Sequence, residues 1–127
     1  MKVLVLNKGN LKEKEINNTL EELQMIVGGY IEIPHLSRRF YENDIDIIIN
    51  EEGKYIEGMR PEIAVVERKT NSIVDIVYGN CIFASHDDEG ETVGLNEEQI
   101  NIVKDELKVI AEILMDNKDI FVRALFI

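Results

Sequence analysis

Five arginines stand out in an otherwise acidic chain, and their chemistry suits them to binding an anion. They are Arg38, Arg39, Arg60, Arg68 and Arg123. Arg38 and Arg39 are followed directly by Phe40 and Tyr41. This compact group can pair with phosphate through its guanidinium groups and stack on a base through its rings. Four such residues in a connecting segment are also typical of an exposed loop that binds nothing, so both interpretations stay open.

Arg123 is a separate candidate because it interrupts Ile120–Ile127, a run that is otherwise apolar. An arginine in such a strand needs a carboxylate partner, a subunit interface or an anionic ligand, since burying an unpaired charge is costly. The aromatic residues that could stack on a base are Tyr30, Tyr78 and Phe83, although packing in a core is the commoner role of each.

The sequence contains little that indicates catalysis. Both histidines, His35 and His86, are predicted to lie in loops, and the nearby Ser37 and Ser85 lack the flanking glycines of a nucleophile elbow. The single cysteine, Cys81, lies between apolar residues, where a thiol packs as a small hydrophobe. No Walker loop or dinucleotide fingerprint occurs. We therefore expect a protein that is not an enzyme and that carries no cofactor.

The carboxylates of the segment Ser85–Gly90 (SHDDEG) could bind calcium. The segment lacks the twelve-position ligand pattern of an EF-hand. We expect an exposed acidic loop and no metal site.

Composition narrows the classes of partner. Asp and Glu number 25 against 14 Lys and Arg, which gives a net charge of −11. Such a chain is poorly suited to direct, non-specific binding of nucleic acid. The apolar run at the start is too short for a signal peptide, and no segment is long enough to span a membrane. These features predict a cytoplasmic protein, and 127 residues are enough for one domain.

The stretch Leu20–Glu32 (LEELQMIVGGYIE) predicts a helix that turns directly into a strand. The helix is expected over about 19–27, with Asn18 as its N-cap and Glu21 three residues on. Gly28 and Gly29 follow where the chain needs a positive φ, which glycine adopts without steric cost. The strand is then expected over 30–33.

The remaining patterns predict an α+β domain, with a mainly antiparallel sheet and two helices packed on it. The second helix begins after Asn96, which with Gln99 forms a capping box, and its apolar stripe continues to about Met115. Strands are expected at 2–6, 11–16, 45–49, 63–66, 73–78, 81–84 and 120–127, with a short return strand at 54–56. The hydrophobic final strand favours a homo-oligomer, because such a strand left exposed would promote aggregation.

Four sequence blocks in order carry a family resemblance: Leu20–Glu32, Asn50–Gly53 (NEEG), Tyr78–Asn80 (YGN) and Asp87–Gly90 (DDEG). They resemble the pattern of a family of small domains of unknown function from phages and mobile elements. In size and composition the chain is also similar to phage proteins that defeat the Thoeris defence system. Those proteins are oligomers that sequester its cyclic ADP-ribose-type signal without cleaving it.

The resemblance implies a binding site for a signalling nucleotide in a recess between subunits. Arg123 and Arg38 or Arg39 would pair with the diphosphate. Phe83 or Tyr30 would stack on adenine, and Asn50 or Asn80 would hydrogen-bond the ribose or base. Two other classes of function remain open. One is an anti-restriction or anti-CRISPR protein whose acidic face imitates DNA, and the other is a structural or regulatory oligomer of a mobile element.

Overall fold

The computed structural model describes all residues, Met1–Ile127, and contains ten strands and three α-helices. The elements in chain order are β1 (Lys2–Asn7), β2 (Asn10–Glu15), α1 (Leu20–Val27), β3 (Ile31–Glu32), α2 (Arg38–Glu42), β4 (Ile45–Asn50), a 3₁₀ turn (Gly53–Tyr55), β5 (Pro61–Glu67), β6 (Ser72–Tyr78), β7 (Cys81–His86), β8 (Thr92–Val93), α3 (Glu97–Glu106), β9 (Ile110–Met115) and β10 (Lys118–Phe126). None of the helices has the length and apolar character needed to cross a membrane.

The strands form two sheets rather than the single sheet expected. The first has the order β2-β1-β7-β4-β3, with β8 paired to β7, and every pairing in it is antiparallel. The second has the order β6-β5-β10-β9, and only its central pair, β5 with β10, is parallel. The predicted α+β class with mainly antiparallel pairing is confirmed.

The main core lies between the two sheets and includes residues from α2 and α3. Leu4, Ile47 and Phe83 line it from the first sheet, and Ile63 and Leu125 line it from the second. Phe40 of α2 meets the ring of Phe83 edge to face, with 6.1 Å between ring centres. Ile100, Val103 and Leu107 close it from α3 and its C-cap. Successive side chains of a strand point to opposite faces of its sheet. Each sheet thus has a second face, directed away from the main core.

Helix α1 covers the outer face of the first sheet by burying Leu23 and Val27 against its strands. Its N-cap is Thr19, whose Oγ1 accepts from the Glu22 N–H at 3.2 Å. The prediction of Asn18 as N-cap is wrong by one residue, because the Asn18 amide instead donates to the Thr92 carbonyl at 2.7 Å.

The two glycines after α1 have different physical roles. Gly28 takes the left-handed conformation at φ 84° and donates its N–H to the Gln24 carbonyl, which ends the helix as expected. Gly29 does not have a positive φ. A Cβ at Gly29 would lie 2.9 Å from the Asn50 side-chain nitrogen, so this position needs glycine for close approach.

Helix α3 ends at Glu106, which corrects the prediction that it continues to about Met115. The capping box is confirmed: Asn96 Oδ1 accepts from the Gln99 N–H, and Gln99 Oε1 accepts from the Asn96 N–H. The apolar residues beyond it also fit period-two alternation, and they form β9, which pairs with β10. Asp116 and Asn117 both have positive φ in the two-residue turn, as a tight hairpin requires.

Two further expectations are corrected around connecting segments. Residues 54–56 do not form a return strand, since Gly53–Tyr55 is a 3₁₀ turn. Gly53 is needed for space, because a Cβ there would lie 2.5 Å from the Tyr78 carbonyl oxygen. The connector after Pro34 contains α2, capped by Ser37, whose Oγ accepts from the Phe40 N–H.

A buried polar network joins the β1–β2 turn of the first sheet to β5 and β10 of the second. The Gly9 N–H donates to Glu62 Oε1 at 2.8 Å, and the Gly9 carbonyl accepts from Arg123 Nε and Nη2 at 3.0 and 2.9 Å. Glu62 is 1% exposed and also pairs with Arg60. Burial raises the pKa of Glu62, while the Gly9 N–H and the Arg60 charge oppose that rise.

We predict that Glu62→Leu lowers the free energy of unfolding by about 3 kcal/mol, because it leaves the Arg60 charge without its buried partner. Glu62→Gln, which keeps an acceptor for the Gly9 N–H, should cost less. Because folding raises the pKa of Glu62, the folded state loses free energy of unfolding when this carboxyl ionises. The loss develops as the pH rises from the ordinary pKa of a glutamate to the pKa of Glu62 in the folded protein. Glu62→Gln should remove that fall in stability.

Urea unfolding across the acidic to neutral range measures both effects. Glu67→Gln, at the end of the same strand and without a side-chain hydrogen bond partner, is the matched control. If Glu62→Gln and Glu67→Gln lowered the free energy of unfolding equally, the contacts of Glu62 with Gly9 and Arg60 would not stabilise the fold as we predict.

Two asparagines, Asn50 at the end of β4 and Asn80 directly before β7, bond the last carbonyls of α1. Asn50 Nδ2 donates to the Val27 carbonyl at 3.2 Å, and Asn80 Nδ2 donates to the Ile26 carbonyl at 3.1 Å. Asn50 is buried, and its Oδ1 also accepts from the Glu52 N–H at 2.8 Å. Both side chains therefore anchor the helix end to the first sheet.

We predict that Asn50→Ala destabilises the protein by about 1–3 kcal/mol, because the Val27 carbonyl and the Glu52 N–H lose their partner. Thermal unfolding followed by circular dichroism measures the loss. Asn17→Ala, which removes an exposed asparagine side chain, serves as the control. A loss no larger than that of the control would show that the hydrogen bonds of Asn50 contribute little.

Candidate functional site

Three of the five arginines lie around one recess, which we call the arginine recess. It has a volume of about 320 Å³ and is lined by Ser37, Arg38, Arg39, Glu42, Arg68, Glu106, Phe126 and Ile127. Helix α2 supplies its first side, and the end of α3 supplies Glu106. Arg68 directly follows β5, and Phe126 ends β10. Because these two strands are parallel neighbours, both residues lie at the same end of the second sheet.

Two arginines of the recess form short ion pairs. Arg38 pairs with Glu42 one helical turn on, with Nε 2.7 Å from Oε1. Arg39 Nη1 lies 2.7 Å from Asp105 Oδ2 and 2.8 Å from Glu106 Oε1. The Arg38 side chain is 91% exposed, so its guanidinium group is accessible to a ligand.

Arg68 is placed differently, because it lies over an aromatic ring. Its guanidinium carbon is 5.6 Å from the centre of the Phe126 ring, a cation–π distance. Its nearest carboxylate oxygen, on Glu106, is 3.9 Å away. The recess thus combines exposed guanidinium groups with an aromatic ring at its edge.

The electrostatics of the recess permit an anionic ligand. The hydrogen bonds from Glu106 and Asp105 raise the pKa of Arg39, and Arg39 followed by Lys108 lowers the pKa of Asp105. The Arg38–Glu42 and Arg39–Asp105 pairs are exposed, and such pairs contribute only about 0–1 kcal/mol each, so a phosphate can replace either carboxylate at little cost. Three arginines and two carboxylates line the recess, and the Asp105 carboxylate beside it also pairs with Arg39.

Arg123 and Phe83 have structural partners in this fold. Arg123 donates to the Gly9 carbonyl and, through Nη1, to the Leu107 carbonyl at 3.0 Å. Backbone carbonyls therefore satisfy this guanidinium group, a solution that the sequence pattern did not indicate. Phe83 is completely buried in the main core.

The remaining predicted site residues surround the end of α1 rather than the arginine recess. Asn50 and Asn80 hold its carbonyls, as described above. Tyr30 is 72% exposed, and its carbonyl accepts from the Glu51 N–H. The structure thus brings together Arg38 and Arg39 of the predicted set, and it places elsewhere Arg123, Phe83, Tyr30, Asn50 and Asn80.

A second recess of about 220 Å³ lies between β4 and β6 and is acidic. Glu32, Glu51 and Asp75 line it, and Lys54 is its single basic residue. Asp75 pairs with Lys54 and raises the pKa of that amine. Asn50 belongs to this lining, where the surplus of carboxylates disfavours a diphosphate.

The histidine–serine pairs do not form a nucleophile–base arrangement. His86 Nδ1 lies 3.0 Å from Asp46 Oδ2 and its Nε2 lies 3.4 Å from Asp44 Oδ1. The hydrogen bond with Asp46 raises the pKa of His86. Ser85 Oγ instead bonds the Asp44 carbonyl and the Gln99 amide. Both ring nitrogens of His86 thus face carboxylates rather than a hydroxyl.

Two other chemical groups have local structural roles. Burial raises the pKa of the Cys81 thiol, which packs in the main core. In the acidic loop, Asp87 Oδ1 accepts from the Glu89 and Glu91 N–H groups, which shapes the turn. No group of three or more His, Cys, Asp or Glu side chains is arranged to hold a metal ion.

Sequence reasoning did not assign Arg68 or Phe126 to a site. Arg68 was visible as one of few arginines, but it lies 29 and 30 positions from Arg39 and Arg38. Phe126 belongs to a run that predicts a buried strand. Only the parallel pairing of β5 with β10 brings the two residues together, and no local motif signals that pairing.

Comparison with known proteins gives one family match. The family described as Domain of unknown function (DUF3846) matches residues 1–108. No curated protein and no solved structure matches the chain. The matched region includes α2, Arg68 and Glu106, whereas Phe126 and the β9–β10 hairpin lie beyond it. Because the match covers most of the chain, the protein belongs to the DUF3846 family of domains of unknown function.

Proposed function

We propose that this protein binds and sequesters a cyclic ADP-ribose-type signalling nucleotide without cleaving it, as a phage-type inhibitor of Thoeris defence. The arginine recess is the observation that carries the proposal. It is the recess in which Arg38, Arg39 and Arg68 meet beside an aromatic ring. This combination of cationic donors and a stacking surface suits a nucleotide diphosphate.

The contacts in the recess suggest how a diphosphate would be held. Arg38 and Arg68 are the more accessible cations, since their side chains are 91% and 64% exposed. Arg39 is fixed between Asp105 and Glu106, whose charges offset its own, so it offers N–H donors from a defined position. Phe126 already carries a planar guanidinium group on its ring, and an adenine base can occupy the same kind of stacking position.

Sequestration needs affinity rather than a reaction. The polar lining of the recess consists of arginine, glutamate and serine side chains, and the Ser37 hydroxyl caps α2. Binding without turnover requires no general base or activated nucleophile there. The anti-defence context rests on the resemblance to phage proteins, and the arginine recess gives that context a chemical basis.

We predict that isothermal titration with cyclic ADP-ribose isomers gives saturable heat for at least one isomer. Arg38→Gln and Arg68→Gln should each weaken binding tenfold or more, which corresponds to about 1.4 kcal/mol. Lys118→Gln makes the same change of charge at the β9–β10 turn, outside the recess, and should bind as the wild type does.

Two results would contradict this proposal. One is heat indistinguishable from that of buffer for every isomer. The other is equal affinity in the wild type and both arginine variants, which would show that any binding occurs elsewhere on the chain.

The exposure of the carboxylates favours a second candidate, an acidic DNA mimic directed at restriction or CRISPR proteins. Of 25 acidic residues, only Glu62 is buried, so the remaining carboxylates contribute to the negative electrostatic potential of the surface.

We predict that such a mimic would bind a DNA-binding nuclease with an affinity that falls as the salt concentration rises. Binding that is insensitive to salt would contradict the mimic. Neutral substitution of Arg38 distinguishes the two functions, since it weakens nucleotide binding and makes a mimic more anionic.

A further inference from the structure

The β1–β2 hairpin carries a shallow recess that we call the lysine recess. It has a volume of about 170 Å³ and is lined by Val5, Asn7, Lys8, Asn10, Lys12 and Lys14. It shares no residue with the arginine recess. No carboxylate lines it, although the chain has a net charge of −11. The lysine recess is therefore a localised cationic surface on an acidic protein.

The alternation of side chains along β2 places its two lysines on one face of the first sheet. Lys12 lies opposite Val5 of β1, and Lys14 lies opposite Val3. Both valines belong to the apolar cluster that includes the buried residues of α1. Because residues directly opposite each other project to the same face, both lysines lie on the outer face of the sheet.

The carboxylates of the same strand alternate onto the other face, where each has a cationic partner. Glu13 lies 3.5 Å from the Lys104 ammonium group, and Glu15 lies 3.6 Å from the amino group of Met1. The acidic residues nearest in sequence are thus directed away from the lysine recess.

The three lysines of the recess form no ion pair within the chain. Of the nine lysines in the sequence, the four that pair with a carboxylate are Lys2, Lys54, Lys104 and Lys108. Of the five others, three line this one recess, and the remaining two are Lys69 and Lys118. The ammonium groups of the recess are therefore available to an anion.

Lys8 occupies a backbone position that its residue type does not favour. Lys8 and Gly9 form a two-residue hairpin turn with φ angles of 51° and 80°. Positive φ at both positions is the requirement of a type I′ turn, for which Asn-Gly is preferred. The four other residues besides glycine with positive φ are all Asp or Asn, which tolerate this conformation: Asp44, Asn71, Asp116 and Asn117. A lysine held at such a position despite its backbone cost fits a side chain retained for binding.

We propose that the lysine recess binds an anion of one to three phosphate groups, either free or carried by a larger molecule. Lysine ammonium groups bind phosphate as point charges, and each supplies three donors. The side-chain amides of Asn7 and Asn10 add neutral donors to the same lining. This site is separate from the one proposed for the signalling nucleotide, and neither depends on the other.

The size and lining of the recess favour phosphate groups over a whole nucleotide. Pockets for drug-sized ligands have volumes of about 300–1,000 Å³, which exceeds the volume of this recess. Val5 is its single hydrophobic residue, and no aromatic ring lines it, so it offers no surface on which a base stacks. A larger molecule would place its phosphates in the recess and leave its remainder in solvent.

The acidic surface elsewhere on the chain does not prevent such binding. At physiological ionic strength the Debye length is about 8 Å, so exposed carboxylates at greater distances are largely screened. The α-carbons of Lys12 and Lys14 are only about 7 Å apart, because two residues of a strand span that length. The lysines of the recess therefore determine the electrostatic potential within it.

Titration of the isotope-labelled full chain with tripolyphosphate at constant ionic strength, followed by amide NMR, tests the site. We expect saturable shifts at residues 7–14. Lys12→Gln and Lys14→Gln should each weaken this binding about threefold, as loss of one exposed ion pair does, and the double variant about tenfold. Lys69→Gln removes an exposed, unpaired lysine outside the recess and is the matched control, with the affinity of the wild type.

Lys8→Asn separates binding from folding. It creates the preferred Asn-Gly turn, so it should raise the midpoint temperature of thermal unfolding. The same variant removes one cation from the recess and should weaken tripolyphosphate binding about threefold. A gain in stability together with a loss of affinity is the result expected of a lysine retained for binding.

Three results would overturn the proposal. The first is the absence of shifts at residues 7–14, whether or not the arginine recess responds. The second is equal affinity in the wild type and the Lys12→Gln, Lys14→Gln double variant. The third is binding of ATP, measured at the same amides, that is about tenfold tighter than binding of tripolyphosphate, because it would show that the base contacts the chain.

Discussion

The backbone of Gly9 is held from both sides by charged groups of the second sheet, and the relative position of the two sheets depends on this contact. Its N–H donates to Glu62 of β5, and its carbonyl accepts from Arg123 of β10. Arg60 completes the network by pairing with Glu62 and donating to the Phe121 carbonyl. Desolvating such charges is expensive, and the network tolerates it because every buried side-chain polar atom has a partner.

The arginine recess follows from this arrangement. The parallel pairing of β5 with β10 places the ends of both strands side by side, which sets Arg68 over Phe126. The core between the sheets then receives Phe40 of α2 and Val103 of α3. Burying Phe40 fixes the face of a five-residue helix, so Arg38 and Arg39 are presented beside the strand ends. The three arginines of the recess are thus exposed side chains on elements that are held by the buried core.

Much of the fold could be predicted from local patterns. The helix over Leu20–Val27 and the capping box of α3 depend on residues within one turn of each other, and the sequence indicates them directly. The end of α3 could not be predicted, because Ile110 and Leu114 suit a helical stripe as well as a strand. Residues 110–115 form a strand because they pair with β10. This tertiary contact overrides the local preference of the sequence.

The site was less predictable than the fold. Arg123 was a strong candidate because a strand arginine needs a partner, and its partners are the Gly9 and Leu107 carbonyls. Asn50 and Asn80 likewise bond backbone carbonyls of α1. Local sequence identifies a side chain that needs a partner, but only the fold shows whether that partner is backbone or ligand. Arg38 and Arg39 lie together in the arginine recess because they are adjacent residues of one short helix, whereas Arg68 and Phe126 reach it only through the pairing of β5 with β10.

The most direct test of the binding account is a titration of isotope-labelled protein with cyclic ADP-ribose isomers, followed by amide NMR. We predict saturable shifts concentrated at Ser37–Arg39, Arg68 and Phe126, where the arginine recess lies. An unchanged spectrum would contradict nucleotide binding. Shifts confined to the acidic recess around Glu51 and Tyr78 would show that the arginines are not the site.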